Sequence, residues 1–144
     1  MKYSTTVQIN KSLEEVVSLF DNPKNYEKWM EGLQSMELIE GKAGEENAKT
    51  RFHFKMGKRD MNMLETVLKR DLPKLYITSY ESGPVYNIVE NHFKAIDNDT
   101  TEYTTVHEFQ FKGFMKLMGW LMPGAFKKQS KKYLNDFKQF AEKA

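Results

Sequence analysis

The 144-residue sequence contains no cysteine, which excludes disulfides, thiolate metal sites and cysteine nucleophiles. Histidines are few, at His53, His92 and His107, and show no metal-ligand spacing, so neither a metal nor another cofactor is expected. A phosphate-cradling glycine loop and a Gly-x-Ser-x-Gly elbow are both missing. No window approaches the ~18 apolar residues of a membrane span. Met1 to Ile9 alternates instead of forming the apolar core of a signal peptide, and a cytoplasmic location is the expectation. The net charge of +2 is too small to indicate a nucleic-acid partner. It is unevenly spread, however. Eight lysines against two acids from Lys112 onward give that end +6 and leave −4 for the rest. Those lysines either solvate a helix or offer transient contact with an anionic membrane surface or acidic partner.

What the chain does have is alternation followed by one amphipathic helix. Lys2 to Ile9 alternates Tyr3, Thr5, Val7 and Ile9 with polar residues, as a half-buried strand does. Ser12-Leu13-Glu14-Glu15 is a capping box, and Asn22-Pro23 a second helix start, so two short helices follow the first strand. Strands are then expected over Ser35 to Glu40, Lys49 to Met56, Met61 onward to the Asp71-Leu72-Pro73-Lys74 turn, Leu75 to Tyr80, Val85 to Ile96 and Glu102 to Lys112. A four-residue Gly57-Lys58-Arg59-Asp60 turn would set Phe54 opposite Met63 and Phe52 opposite Glu65. From Ala125 to Ala141, Phe126, Tyr133, Leu134, Phe137, Phe140 and Ala141 recur on one helical face. Such a stripe needs a surface, and the sheet supplies it. One α+β domain over residues 1–144 is expected.

A sheet bent around a helix encloses an apolar space. Its expected walls are Phe52, Phe54, Met56, Met61, Met63, Val89, Phe93, Tyr103, Phe109 and Phe111 from the strands, with Phe126, Tyr133 and Phe137 from the helix. Methionine-rich walls adapt to differently shaped guests. The same side chains are also able to close-pack and leave no room. Polar groups interrupt the wall: Glu65, Asn87, Asn91, Thr105 and His107 share its face. A carboxyl held there has its pKa raised by desolvation, which suits Glu65 and His107 to acid and base roles with Tyr103 or Asn91 orienting substrate. The alternative is internal hydrogen bonding without ligand contact. Gly113 to Gly124, apolar and broken by Pro123, is expected as either a lid or membrane toe-hold or an ordinary buried turn. Trp29 is expected to anchor the second helix to the end of the sheet.

The order β, α, α, six β, long α resembles the helix-grip fold of the START and polyketide-cyclase/dehydrase superfamily. The local likenesses are Val7-Gln8-Ile9 running into a capped helix with Val16-Val17 and Leu19-Phe20-Asp21, then Tyr26 and Trp29, Glu65-Thr66-Val67 before Leu72-Pro73, and the aromatic terminal helix. The resemblance implies a curved antiparallel sheet of about seven strands wrapped around the C-terminal helix. It also implies binding or transport of a small hydrophobic or amphipathic ligand between them. An enzyme of the cyclase, dehydratase or hydrolase type and a protein- or membrane-interaction module are the alternatives, because fold alone assigns no activity.

Overall fold

The computed structural model describes residues 1–113, 116–117 and 123–144. β1 (Lys2–Ile9) leads into α1 (Leu13–Phe20), a tight helical turn (Pro23–Asn25) and α2 (Tyr26–Trp29). Six strands follow: β2 (Leu33–Glu40), β3 (Lys49–Met56), β4 (Arg59–Asp71), β5 (Leu75–Ser82), β6 (Val85–Asp97) and β7 (Thr100–Phe111). The long α3 (Pro123–Lys143) comes last. All seven strands pair antiparallel in one open sheet of order β1-β7-β6-β5-β4-β3-β2. Bulges in β2, β4 and β6 add local twist and bend the strands around α3.

The helix starts follow their sequence signals. Ser12 Oγ accepts from the Glu15 amide at 3.2 Å and donates to the Glu15 carboxylate at 3.1 Å, so the box closes through side chains instead of through the Ser12 amide. Asn22 accepts from the Lys24 amide at 3.1 Å, with Pro23 as the first helical residue. At the end of α1, Asp21 takes a two-pronged bond from the Arg70 guanidinium, at 2.9 and 2.5 Å, which fastens the helix to β4.

The β3–β4 turn is shorter than the expected four residues. Met56 pairs with Arg59, leaving only Gly57-Lys58 between the strands. Gly57 has φ 66, the positive value that the first position of a type II′ hairpin turn requires. Phe52 therefore faces Met63, Phe54 faces Met61, and Glu65 faces Thr50. The displacement is two residues, one full side-chain period, so every residue keeps its expected face.

Gly32 is a tighter constraint. It sits at φ 81 where the chain leaves α2 for β2, and a Cβ there would lie 2.5 Å from the Lys55 carbonyl oxygen. Its own carbonyl accepts from the Lys55 amide at 2.8 Å, so the backbone has nowhere to retreat. Gly32→Ala is expected to cost at least about 2 kcal/mol, from the left-handed backbone and the clash together; urea unfolding at equilibrium checks it.

The core fills one end of the sheet's concave face. Ile9, Val16, Val67, Phe137 and Ala141 are almost wholly buried there, with Phe20, Phe93, Tyr103 and Leu134 packed among them. The Phe20 ring meets Phe93, Tyr103, Tyr76 and Phe137 edge to face at 4.9 to 5.9 Å. Trp29, expected to anchor the second helix at the end of the sheet, packs at 5.0 Å on Phe137 of α3, against the core that sheet and helix share. The stripe of α3 lies mainly along β1, fixed by the Tyr3 hydroxyl, which reaches the Phe126 carbonyl at 2.9 Å and Ser130 Oγ at 2.6 Å. Lys131 and Lys138 add bonds to the Thr6 and Gln8 carbonyls.

Among the described residues, no helix is long and apolar enough to cross a membrane. Most of the Gly113 to Gly124 stretch, expected as lid or toe-hold, lies outside the described residues.

Candidate functional site

Side chains on the concave face divide into two groups along the strands. Toward the packed end, Val67, Tyr76, Thr78, Val89, Asn91, Phe93, Tyr103 and Thr105 are buried. Toward the other end, Met61, Met63, Glu65, Tyr80, Val85, Asn87, His107, Phe109 and Phe111, with Phe126 and Tyr133 of α3, are only half-buried. The face is thus solid at one end and accessible at the other, a cup with a packed floor. Two clefts of about 710 and 630 Å³ flank α3 on the outside, one along Ser4 to Thr6 and the helix lysines, the other between Glu27 to Gln34 and the end of α3. Neither reaches the cup.

The sequence-derived candidates separate along this division. Asn91 and Tyr103 bond each other at 2.6 Å, and Asn91 donates to the Tyr76 carbonyl at 3.1 Å, so both are occupied within the floor. Thr105 is paired with Thr5 at 2.9 Å, and Phe93 is stacked at 4.6 Å on Tyr103. Phe52 and Phe54 are also buried, their rings parallel at 6.1 Å, with Tyr26 of α2 over Phe52. The accessible wall is left to Met61, Met63, Glu65, Asn87, His107, Phe109, Phe111, Phe126 and Tyr133, while Val89 lies on the floor between Thr78 and His107. Met56 is half-buried at the β3–β4 rim beside Gly32.

Two ionisable groups stand out. Glu65, on β4, accepts from the Tyr80 hydroxyl at 2.9 Å. Loss of water around it pushes its pKa up to about 7, against a smaller lowering from the Tyr80 bond. Desolvation likewise holds Tyr80 well above the ordinary phenol range, with the Glu65 charge adding to it. His107, on β7, is layered between Tyr3 at 5.2 Å and Phe109 at 6.0 Å, and burial lowers its pKa to about 4. At neutral pH His107 is therefore an uncharged ring in an aromatic ladder that continues through Phe111 and Phe126. It is not Glu65's partner. β5 and β6 stand between them, about 14 Å along the sheet at ~4.8 Å per strand.

Reading the sequence missed Tyr80 and Tyr3, the residues that hold Glu65 and His107. Both have inward parity in their strands, but only the pairing of β4 with β5 and of β1 with β7 shows what they touch. His53 and His92 occupy the convex face, paired with Asp60 and Glu90.

A bent seven-stranded sheet, one long helix laid against its concave face and two short helices at one end define a helix-grip protein. The family described as polyketide cyclase / dehydrase and lipid transport matches residues 1–142, and the chain belongs to that family. No curated protein sequence matches the chain. A conserved protein from Geobacillus kaustophilus superposes with a TM-score of 0.79 at 20% identity, over 99% of this chain and 96% of its own. The Zhui aromatase/cyclase from Streptomyces sp. R1128 superposes at 0.80 with 13% identity, over 99% and 93%. Norcoclaurine synthase from Thalictrum, as a point mutant with a transition-state analogue, superposes at 0.73 with 13% identity, over 98% and 93%. These likenesses establish the fold.

Proposed function

We propose that the protein binds a small hydrophobic or amphipathic molecule in the cup between the sheet and α3. The observation that carries this reading is the division of the concave face, packed by its own side chains at one end and accessible at the other. A face lined by Met61, Met63, Phe109, Phe111 and Phe126 gains from apolar contact, at roughly 25 cal/mol per Å² removed from water. The few polar groups orient the guest.

A second reading rests on Glu65. A carboxyl with a pKa near 7, in an apolar wall and bonded to a tyrosine, is matched to proton transfer at neutral pH. In that case Glu65 is the acid or base, and His107, across the sheet, remains a neutral donor or acceptor. The basic helix supports a weaker surface role. Lys132 is engaged by Glu31 and Asp136, which hold its pKa up, whereas Lys127 and Lys128 make no ion pair among the described residues. Contact with an anionic membrane through that face would weaken steeply with salt.

Native mass spectrometry of the protein as purified, followed by denaturing extraction, is expected to release a stoichiometric apolar guest. A clean apo mass, together with no change in the amide spectrum on adding naphthalene-sized probes, would overturn the binding role. Glu65→Gln separates binding from catalysis: the guest is retained in both cases, and turnover disappears only if Glu65 transfers a proton.

A further inference from the structure

Three polar atoms at the base of the cup have no partner at full hydrogen-bond geometry among the described residues: Asn87 Oδ1, His107 Nδ1 and Thr78 Oγ1, the last with only a weak interaction with the Tyr80 side chain. The three atoms themselves are buried, although Asn87 and His107 are half-buried as residues, and they lie on adjoining strands of the concave face. Thr78 on β5 is opposite Val89 on β6, which is opposite His107 on β7, while Asn87 stands one row up beside Tyr80. Diagonal neighbours on one face lie about 7 Å apart. Buried polar atoms without partners are uncommon in native proteins, and here three fall on one contiguous patch. Their chemistry is uncharged: a hydroxyl, an amide and an imidazole that burial keeps neutral.

On the described strands, positive charge is kept away from this patch. Arg51, Lys55 and Lys94 alternate onto the convex face. Arg59 has inward parity but is exposed at the β3–β4 turn, and Arg70, at the packed end, is held by Asp21. The titratable group next along the wall is Glu65, a carboxyl. An anionic headgroup seated here would lose its water without gaining a counter-charge.

We infer that the guest is an uncharged molecule bearing a hydroxyl on an apolar skeleton, a phenol or an alcohol, and that Thr78, Asn87 and His107 select it against carboxylate lipids. This rests on the binding role proposed above. A hydroxyl both donates and accepts, so it satisfies an amide or imidazole in either orientation. The apolar skeleton then lies against the Phe109, Phe111 and Phe126 rings.

The test is a pair of probes with one skeleton, a naphthol and the matching naphthoate, titrated separately into the full chain and followed by amide chemical shifts. The naphthol is expected to bind at least about tenfold more tightly, with the largest shifts on β5, β6 and β7 around the three residues. Asn87→Leu and Thr78→Val, each verified as folded by circular dichroism, are expected to shrink that preference to about threefold or less while leaving naphthoate affinity nearly unchanged. Equal or tighter naphthoate binding inside the cup overturns the selectivity and leaves the binding role standing. Naphthol shifts confined to the convex face overturn it as well. If neither probe binds and the purified protein carries no guest, the binding role fails, and this inference fails with it.

Discussion

Phe137→Ala is expected to lower the unfolding free energy by about 3–5 kcal/mol, the range for emptying a well-packed aromatic site. Phe137 has no exposed surface, and its ring meets Phe20 at 5.9 Å, Tyr103 at 5.6 Å and Trp29 at 5.0 Å. These contacts come from α1, β7 and α2, so one side chain of α3 joins the grip to all three. None of the neighbours is free to refill the space: Tyr103 is tied to Asn91, and Phe20 is enclosed by Tyr76 and Phe93. The loss is a large fraction of the roughly 5–15 kcal/mol that holds a typical domain folded. Chemical unfolding of the variant beside the parent checks it. A cost under about 1 kcal/mol would mean that α3 is not held through this site. Phe126→Ala, at the accessible end, is expected to cost less than half as much, because its ring is half-buried and already borders the cup.

The second large effect lies in the pH dependence of stability, where Glu65 and His107 oppose each other. The folded-state pKa of Glu65 is raised from 4.5 to about 7, so between those values the native state holds a proton that the unfolded state has released. Its contribution therefore falls as pH rises from 4.5 to 7 and stays low above that. The His107 pKa is depressed from 6.5 to about 4, so between those values the unfolded state holds the proton. Its contribution is full above 6.5 and is lost as pH falls toward 4. From about pH 4.5 to 6.5 each state carries one proton on the pair, and their combined slope is near zero.

The single variants break this cancellation in opposite directions. Glu65→Gln keeps an acceptor for Tyr80, removes the charge, and is expected to be more stable than the parent by up to about 3 kcal/mol at pH 8, since each tenfold change in proton affinity is worth about 1.4 kcal/mol. Its remaining dependence should rise with pH between 4 and 6.5. His107→Phe keeps a ring between Tyr3 and Phe109 and is expected to gain about 2 kcal/mol at pH 5 relative to the parent. Its stability should then fall between pH 4.5 and 7. Urea unfolding at several pH values distinguishes all three proteins. Parallel profiles would show that neither group is desolvated as the fold places it.

The architecture was legible in the sequence because it rests on short-range periodicity. Alternation in Lys49 to Met56 and in Val85 to Phe111 fixed which residues face inward, and the three- and four-residue spacing from Phe126 to Ala141 identified the helix that they face. Side-chain parity survives a register error of two residues, one full period, which is why Glu65 kept its face although the β3–β4 turn was two residues shorter than expected. The helix starts at Ser12 and Asn22 were equally local, each needing only its own side-chain oxygen and an amide two or three residues on.

Pairings across the sheet were decided only by tertiary structure. Nothing in the order of residues couples Tyr80 to Glu65 or Tyr3 to His107, because those contacts depend on strand neighbours and register. Nor does sequence separate floor from wall. Asn91 and Asn87 share a strand and a face, yet Asn91 is consumed by Tyr103 and the Tyr76 carbonyl while Asn87 Oδ1 lacks a partner among the described residues. The difference comes from where α1 and the second half of α3 press against the sheet. Packing fills one end of the concave face and stops short of the other, and volume of that kind is a property of the assembled elements, whatever residues each one contains.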